Sequence, residues 1–247
     1  MSVDDQKRRA AAAALERVED GMRLGLGSGS TSAAFVDLLG ARVKDGLRVV
    51  GVPTSQAIKD QAEALGIPLS TLDEEPFVDI AIDGTDEIDG EMRLIKGGGG
   101  ALLREKIVAN ASDQLIIIAD TSKKVDTLGA FKLPIEVVRF GIHVSRNMIE
   151  VLGREAGCDG EIVLRRDIDG KPFVTDNGNL ILDCDFGRIE EPELLAAALQ
   201  MVPGLVDHGL FLGLADVALI ADDSGVEEMI AEAFDDDDDT ENGPVTV

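Results

Sequence analysis

The sequence has no tryptophan, no tyrosine and only eight phenylalanines in 247 residues, so few flat faces exist on which nucleic-acid bases could stack. Positive charge is scarce as well: 23 Lys and Arg stand against 48 Asp and Glu, a formal net charge of -25. A field of that sign repels phosphate backbones and anionic headgroups, so neither nucleic acid nor a membrane is expected as a partner. Cysteine is limited to Cys158 and Cys184, without a CxxC, and histidine to His143 and His208, widely separated. A disulfide framework and a clustered zinc site are therefore not indicated, and neither a metal nor a cofactor is expected. The longest strongly apolar run, Leu115 to Ala119, is far below the roughly 18 residues that cross a bilayer. The alanine run Ala10 to Ala14 leads into Leu15, Glu16 and Arg17, unlike the apolar segment of a secretory leader, so a cytoplasmic protein is expected.

What is abundant is compact acid. Of the 48 acids 29 are Asp, and of the 23 bases only 9 are Lys. This balance trims long aliphatic stems and favours hydrated carboxylates, as in adaptation to high salt. At about 1 M salt the Debye length is about 3 Å, and such self-repulsion is largely screened. Hydrophobic residues still make up 45% of the chain, enough for a folded core in one large or two modest domains.

Apolar runs alternate with helical patterns in the first half, the signature of βα units stacked on a parallel sheet. The runs are Met22 to Leu26, Leu47 to Val52, Val78 to Ile82 and Leu115 to Ala119, with helices expected over 4–18, 30–43, 55–65 and 101–111. From about Gly129 the rhythm changes to an extended Leu133 to Val138, a helix near 142–156, strands at 161–166 and 180–185, and a helix near 192–201. That reads as a small α+β domain, 129–206, inserted into an open, mostly parallel α/β domain of 1–128 plus 207–234. Asp216 to Ala221 has the pattern of a buried strand returning to the first sheet. The remaining 235–247 begins with five aspartates and is read as a solvated, disordered acidic tail.

Four segments at successive strand ends can carry chemistry. Gly25-Leu26-Gly27-Ser28-Gly29-Ser30-Thr31 follows a strand and opens a helix, the outline of a phosphate cradle, although it lacks a Walker lysine and the full G-x-G-x-x-G spacing. The plainer reading is a tight turn with Ser30 or Thr31 as helix cap. Asp83-Gly84-Thr85-Asp86-Glu87-Ile88-Asp89 lies at the carboxyl end of the third strand, where open α/β sheets bind ligands, but an acidic loop is also ordinary solvated surface.

Lys96-Gly97-Gly98-Gly99-Gly100 precedes a helix on which Glu105 falls between Ala101 and Ala109, beside Leu102 and Val108. A carboxylate on an apolar helix face is desolvated, which raises its pKa toward that of a working general base. Asp120-Thr121-Ser122-Lys123-Lys124 brings a further cation to the same sheet edge. His143 and His208 read as structural. Acids, lysines and one shielded carboxylate, with no paired nucleophile, suit proton transfer next to a carbonyl in a small phosphorylated substrate.

The motifs GLGSGST, DGTDEID, IKGGGGALLREKIVA, ADTSKKVDTLG, LPIEV, VTDNGNLILD and PGLVDHGLF, in this order from about Lys7 to Ala221, resemble the ribose-5-phosphate isomerase A family. The resemblance implies a Rossmann-like sheet with a ferredoxin-like insertion and a homodimer or homotetramer. It also implies metal-independent interconversion of D-ribose 5-phosphate and D-ribulose 5-phosphate through a cis-enediolate. It places the general base on Glu105, the sugar-contacting and ring-opening acids on Asp83 and Asp86, and the lysine that steadies the developing oxyanion or the phosphate on Lys96. It further assigns substrate binding to Ser28, Gly29, Ser30, Thr31, Gly84, Thr85, Gly97, Gly98, Gly99, Lys123 and Lys7. A non-catalytic sugar-phosphate sensor and another enzyme on the same scaffold are the competing readings. The first lacks a basic DNA-binding module, and the second should lack the DGTDEID and KGGGGALLREK pair.

Overall fold

This computed structural model describes residues 1–231. The expected acidic tail, 235–247, lies outside the described residues. The chain runs α1 (Val3–Leu15), β1 (Arg23–Leu26), α2 (Ser30–Lys44), β2 (Val50–Pro53), α3 (Gln56–Leu65), β3 (Ile80–Asp83), β4 (Glu87–Ile88), β5 (Leu94–Ile95), α4 (Leu102–Asn110) and β6 (Leu115–Asp120). It continues through β7 (Leu133–Val137), α5 (Ile142–Glu155), β8 (Glu161–Leu164), β9 (Leu180–Asp185), α6 (Pro192–Leu199), β10 (Leu205–His208), β11 (Leu210–Phe211), β12 (Val217–Ala221) and β13 (Val226–Ile230).

The main sheet has the order β13-β12-β6-β3-β1-β2, parallel except for β13, which runs antiparallel to β12 at the edge. A sheet covered on both faces needs strands that are apolar on both sides, hence the unbroken runs. Along β6 the residues alternate: Ile116 and Ile118 pack with Phe35 and Leu39 of α2 and the alanine stripe of α1, whereas Leu115 and Ile117 pack with Leu102 and Val108 of α4. Ala10, Ala11 and Ala14 are fully buried, so the small side chains of α1 let it sit close against the sheet. Its start is fixed by Ser2, whose Oγ accepts from Asp5 N while the Asp5 carboxylate accepts from Ser2 N.

The elements β7-α5-β8-β9-α6-β10 form the β-α-β-β-α-β order of a ferredoxin-like unit, an antiparallel sheet ordered β10-β7-β9-β8 around its own apolar cluster of Ile135, Val137, Leu182, Ile149 and Leu195. The last expected strand does return to the main sheet, as β12 parallel to β6.

Three features differ from the sequence reading. The second strand begins at Val50 rather than Leu47, because Gly46 at φ 107 and the bond from Leu47 N to Arg42 O hold the chain in a turn after α2. The edge strand β13 was not expected; Val226–Ile230 alternates too weakly, with three of its five residues exposed. Nor was the three-stranded sheet β11-β5-β4, whose two-residue strands are too short to show a period.

That small sheet matters for the site. The β4–β5 hairpin is closed by Asp89, which accepts from the N–H groups of Glu91 and Arg93 and from Arg93 Nε. It returns the chain so that Lys96 stands beside the end of β3, with Lys96 N donating to Gly209 O at 2.8 Å.

Candidate active site

In the main sheet the chain leaves β1 toward β2 on one side and returns to β3 on the other, so a crevice opens between the carboxyl ends of β1 and β3. A cleft of about 100 Å³ lies there. Lys7, Ser28, Gly29, Ser30, Thr31, Gly84, Thr85, Asp86, Lys96, Gly97, Gly98, Gly99, Glu105 and Lys123 all line it. Asp83, the other residue singled out from sequence, sits buried directly beneath them.

The glycine loop after β1 is shaped by Asp83. A Cβ on Gly27 would fall 2.1 Å from Asp83 Oδ1, so only glycine leaves room for the carboxylate. That oxygen accepts from Ser28 N at 3.0 Å, Gly84 N at 2.7 Å and Ser32 Oγ at 3.2 Å. Gly29, at φ 93, occupies the cap position of α2 and no side chain caps the helix. The expectation that Ser30 or Thr31 would cap it is therefore corrected. The uncapped N–H groups of the first turn, together with the positive end of the helix dipole, make this end of the cleft favourable for an anion. Lys7 reaches over from α1, its Nζ 3.0 Å from Ser30 Oγ, and adds a cation at the same end.

At the opposite wall three buried charges meet. Lys96 Nζ donates to Gly84 O at 2.6 Å, lies 3.0 Å from Asp83 Oδ2 and stands 3.4 Å from Glu105 Oε2. The last contact lacks hydrogen-bond geometry, and Glu105 Oε2 has no hydrogen-bond partner among the described residues. Glu105 is 5% exposed, on the face of α4 that buries Leu102, Val108 and Ala109. Burial first, and then the neighbouring charge of Asp83, push its pKa up to about 8, with Lys96 opposing. For Lys96 burial acts to lower the pKa, but Asp83 and Glu105 outweigh it and hold the ammonium charged.

Asp86 belongs to the rim. Its Oδ2 accepts from Gly98 N at 2.7 Å, and a Cβ on Gly98 would meet Asp86 Oδ1 at 2.6 Å, which accounts for glycine there. Thr85 lines the cleft, yet its hydroxyl donates inward, within reach of Glu87 O at 2.6 Å and Ile95 O at 3.0 Å.

Sequence reasoning missed several supporting residues. Ser32, one position past the quoted loop motif, holds Asp83 and Gly84. Thr54 Oγ1 lies 2.7 Å from Ser28 Oγ and is itself bonded to Leu26 O. Nothing in the local pattern marks Thr54; the contact exists only because β2 pairs with β1. His208 is buried at the end of β10, accepts from Leu210 N, and is lowered to about 4 by burial and the nearby Lys106, in keeping with a structural part. His143 is exposed on α5.

Residues 50–225 match the family model of ribose 5-phosphate isomerase A, also called phosphoriboisomerase A. The chain is 58% identical to the ribose-5-phosphate isomerase A of Methylorubrum extorquens over 221 residues, covering 90% of this chain and 94% of the relative. Its fold is similar to that of the ribose 5-phosphate isomerase of Plasmodium falciparum, with a TM-score of 0.87, 39% identity and coverage of 93% and 100% of the two chains. It is also similar to a D-ribose-5-phosphate isomerase solved in complex with phospho-erythronic acid, with a TM-score of 0.86, 38% identity and the same coverage.

Proposed function

The chain belongs to the ribose 5-phosphate isomerase A family, and we propose that its cleft interconverts D-ribose 5-phosphate and D-ribulose 5-phosphate with Glu105 as the base. The observation that carries this reading is the pairing of a buried, apolar-faced carboxylate with a buried ammonium 3.4 Å away, at the end of the cleft opposite an uncapped helix N-terminus. The relative bound to phospho-erythronic acid, a four-carbon phosphorylated acid, supports a phosphosugar of about this size as the occupant.

The chain's own residues account for each step. The phosphate lies at the α2 N-terminus, among the N–H and hydroxyl groups of Ser28, Gly29, Ser30 and Thr31, with Lys7 and Lys123 neutralising its charge. Asp86 and Asp83 contact the sugar and assist ring opening. Ionised Glu105 takes the C2 proton, the C1 carbonyl oxygen becomes the oxyanion of a cis-enediolate, and Lys96 with the Gly97 to Gly99 loop stabilises it. The O2 proton passes to O1 and Glu105 returns its proton to C1, which gives the 2-ketose. Lys96 places a positive charge where another enzyme would use a Lewis acid, which supports chemistry without a metal. Wild-type protein should convert ribose 5-phosphate in the presence of EDTA. From substrate deuterated at C2, part of the label should be carried into C1. Loss of activity on chelation, restored by a divalent ion, would contradict this mechanism.

The same reading covers the chain's setting. The division into 1–128 plus 207–234 and 129–206 is supported by the separate apolar cluster of the smaller unit, though 232–234 lie outside the described residues. Val144 and Val151 are exposed on α5 on either side of the half-buried Met148, and Phe140 just before the helix is exposed as well, an apolar surface that supports a homodimer or homotetramer. Two free, buried thiols, Cys158 and Cys184, support a reducing, cytoplasmic compartment. The excess of 48 acids over 23 bases supports adaptation to high salt.

A further inference from the structure

Among the described residues, the smaller antiparallel unit hydrogen-bonds the glycine loop through one side chain. Arg165 directly follows β8, and its Nε and Nη2 donate to the two carboxylate oxygens of Asp183 on β9, at 2.9 and 2.5 Å. Its remaining arm, Nη1, donates to Gly97 O at 2.8 Å and Gly98 O at 3.1 Å. Both partners of the ion pair are largely shielded, at 14% and 17% exposure. The guanidinium also lies over Phe173, whose ring fills the space next to Gly100, where a Cβ would approach it to 2.5 Å.

Each of these carbonyls shares an amide with an N–H on the cleft side. The Gly97 carbonyl belongs to the amide whose N–H, on Gly98, donates to Asp86 Oδ2 at 2.7 Å. The Gly98 carbonyl belongs to the amide of Gly99, which lines the cleft and whose N–H has no acceptor among the described residues. A charge on the oxygen end of an amide polarises its N–H end, since successive hydrogen bonds strengthen one another. Glycines are otherwise the residues least able to hold a loop still, with Gly97 at φ 104 and Gly100 at φ 80. A planar fork held by one carboxylate while its free arm spans two carbonyls is a role that arginine fills and lysine does not.

We propose that Arg165, held by Asp183, is a positioning residue for the isomerisation, fixing and polarising the Gly97 to Gly99 loop against Asp86 and the reacting end of the substrate. This rests on the functional reading above. The phosphate end of the cleft lies on the other loop and is not touched by Arg165, so turnover and phosphate affinity should separate.

The test compares Arg165→Met, Arg165→Lys and Asp183→Asn with wild type and with Arg166→Met, an exposed neighbour that donates to Gly170 O. Conversion of ribose 5-phosphate, competitive inhibition by inorganic phosphate and thermal unfolding are measured for each. In Arg165→Met kcat should fall by about 10²-fold, the scale of a reacting group misplaced by about an ångström, while inhibition by phosphate changes little. Asp183→Asn should fall in the same direction by a smaller factor, Arg165→Lys should not regain wild-type turnover, and Arg166→Met should match wild type. A folded Arg165→Met with wild-type kcat would overturn the proposal, as would parallel losses of turnover and phosphate inhibition. Should Arg165→Met not fold, Asp183→Asn and Arg165→Lys decide by the same criteria. Inactive, folded wild type would instead overturn the functional reading and this inference with it.

Discussion

Asp83 Oδ2 lies 3.0 Å from Lys96 Nζ with both side chains at most 5% exposed, and Glu105 Oε2 stands 3.4 Å from the same ammonium. Two carboxylates thus share one buried cation. Asp83 is further satisfied by three hydrogen bonds to its other oxygen, whereas the Glu105 Oε2 that faces the ammonium has none. Burial and the charge of Asp83 raise the pKa of Glu105, which fits it for the proton-carrying role proposed above.

Removing the shared cation should harm folding and chemistry together. Lys96→Met leaves Asp83 buried without its counter-charge, a change that costs about 3–5 kcal/mol when a buried pair is broken. Chemical denaturation should show a loss of that order. The rising limb of the activity profile should also move to higher pH, because the group that opposes protonation of Glu105 is gone.

A raised acid makes activity and stability respond oppositely to pH. The pKa of Glu105 is pushed up from 4.5 to about 8. As base it must be ionised, so kcat/KM should rise with pH through about 8 before levelling. Its contribution to stability is fully present below the unfolded-state pKa and is lost as pH rises through the folded value. Glu105→Gln should accordingly lose less stability than wild type between pH 5 and pH 9, as read by melting temperature.

How much of this was legible in the sequence depended on contiguity. The loop Ser28 to Thr31, the acids of 83–86 and the Lys96 to Glu105 segment are each a short stretch at a strand end, and helical spacing alone placed Glu105 on the buried face of α4. Arg165 lies 67 residues from Gly98, in a unit whose strands carry no mark of the cleft. Thr54 reaches Ser28 only through strand pairing, and β4, β5 and β11 are two-residue strands without a detectable period. Pairing across the fold creates those relations, and one-dimensional periodicity does not contain them.

Lys7 should act on binding rather than on chemistry. Its ammonium meets Ser30 at the α2 N-terminus, at the end of the cleft away from Glu105. Lys7→Ala should raise KM for ribose 5-phosphate with a smaller change in kcat, and the deficit should shrink as salt screens the phosphate.

With a net charge of -25, salt should stabilise the fold. Thermal unfolding should move to higher temperature from dilute buffer to molar KCl, because self-repulsion is screened at about 3 Å near 1 M. A midpoint that does not move with salt would contradict adaptation to high salt.

The most direct test is the turnover of ribose 5-phosphate by Glu105→Gln against wild type, at pH 8 in molar KCl with EDTA, alongside a melt of each protein. Loss of a positioned base predicts a fall in kcat of about 10²- to 10⁴-fold or more in a variant that still folds. Near-normal turnover by the folded variant would contradict the assignment of Glu105 as the proton carrier.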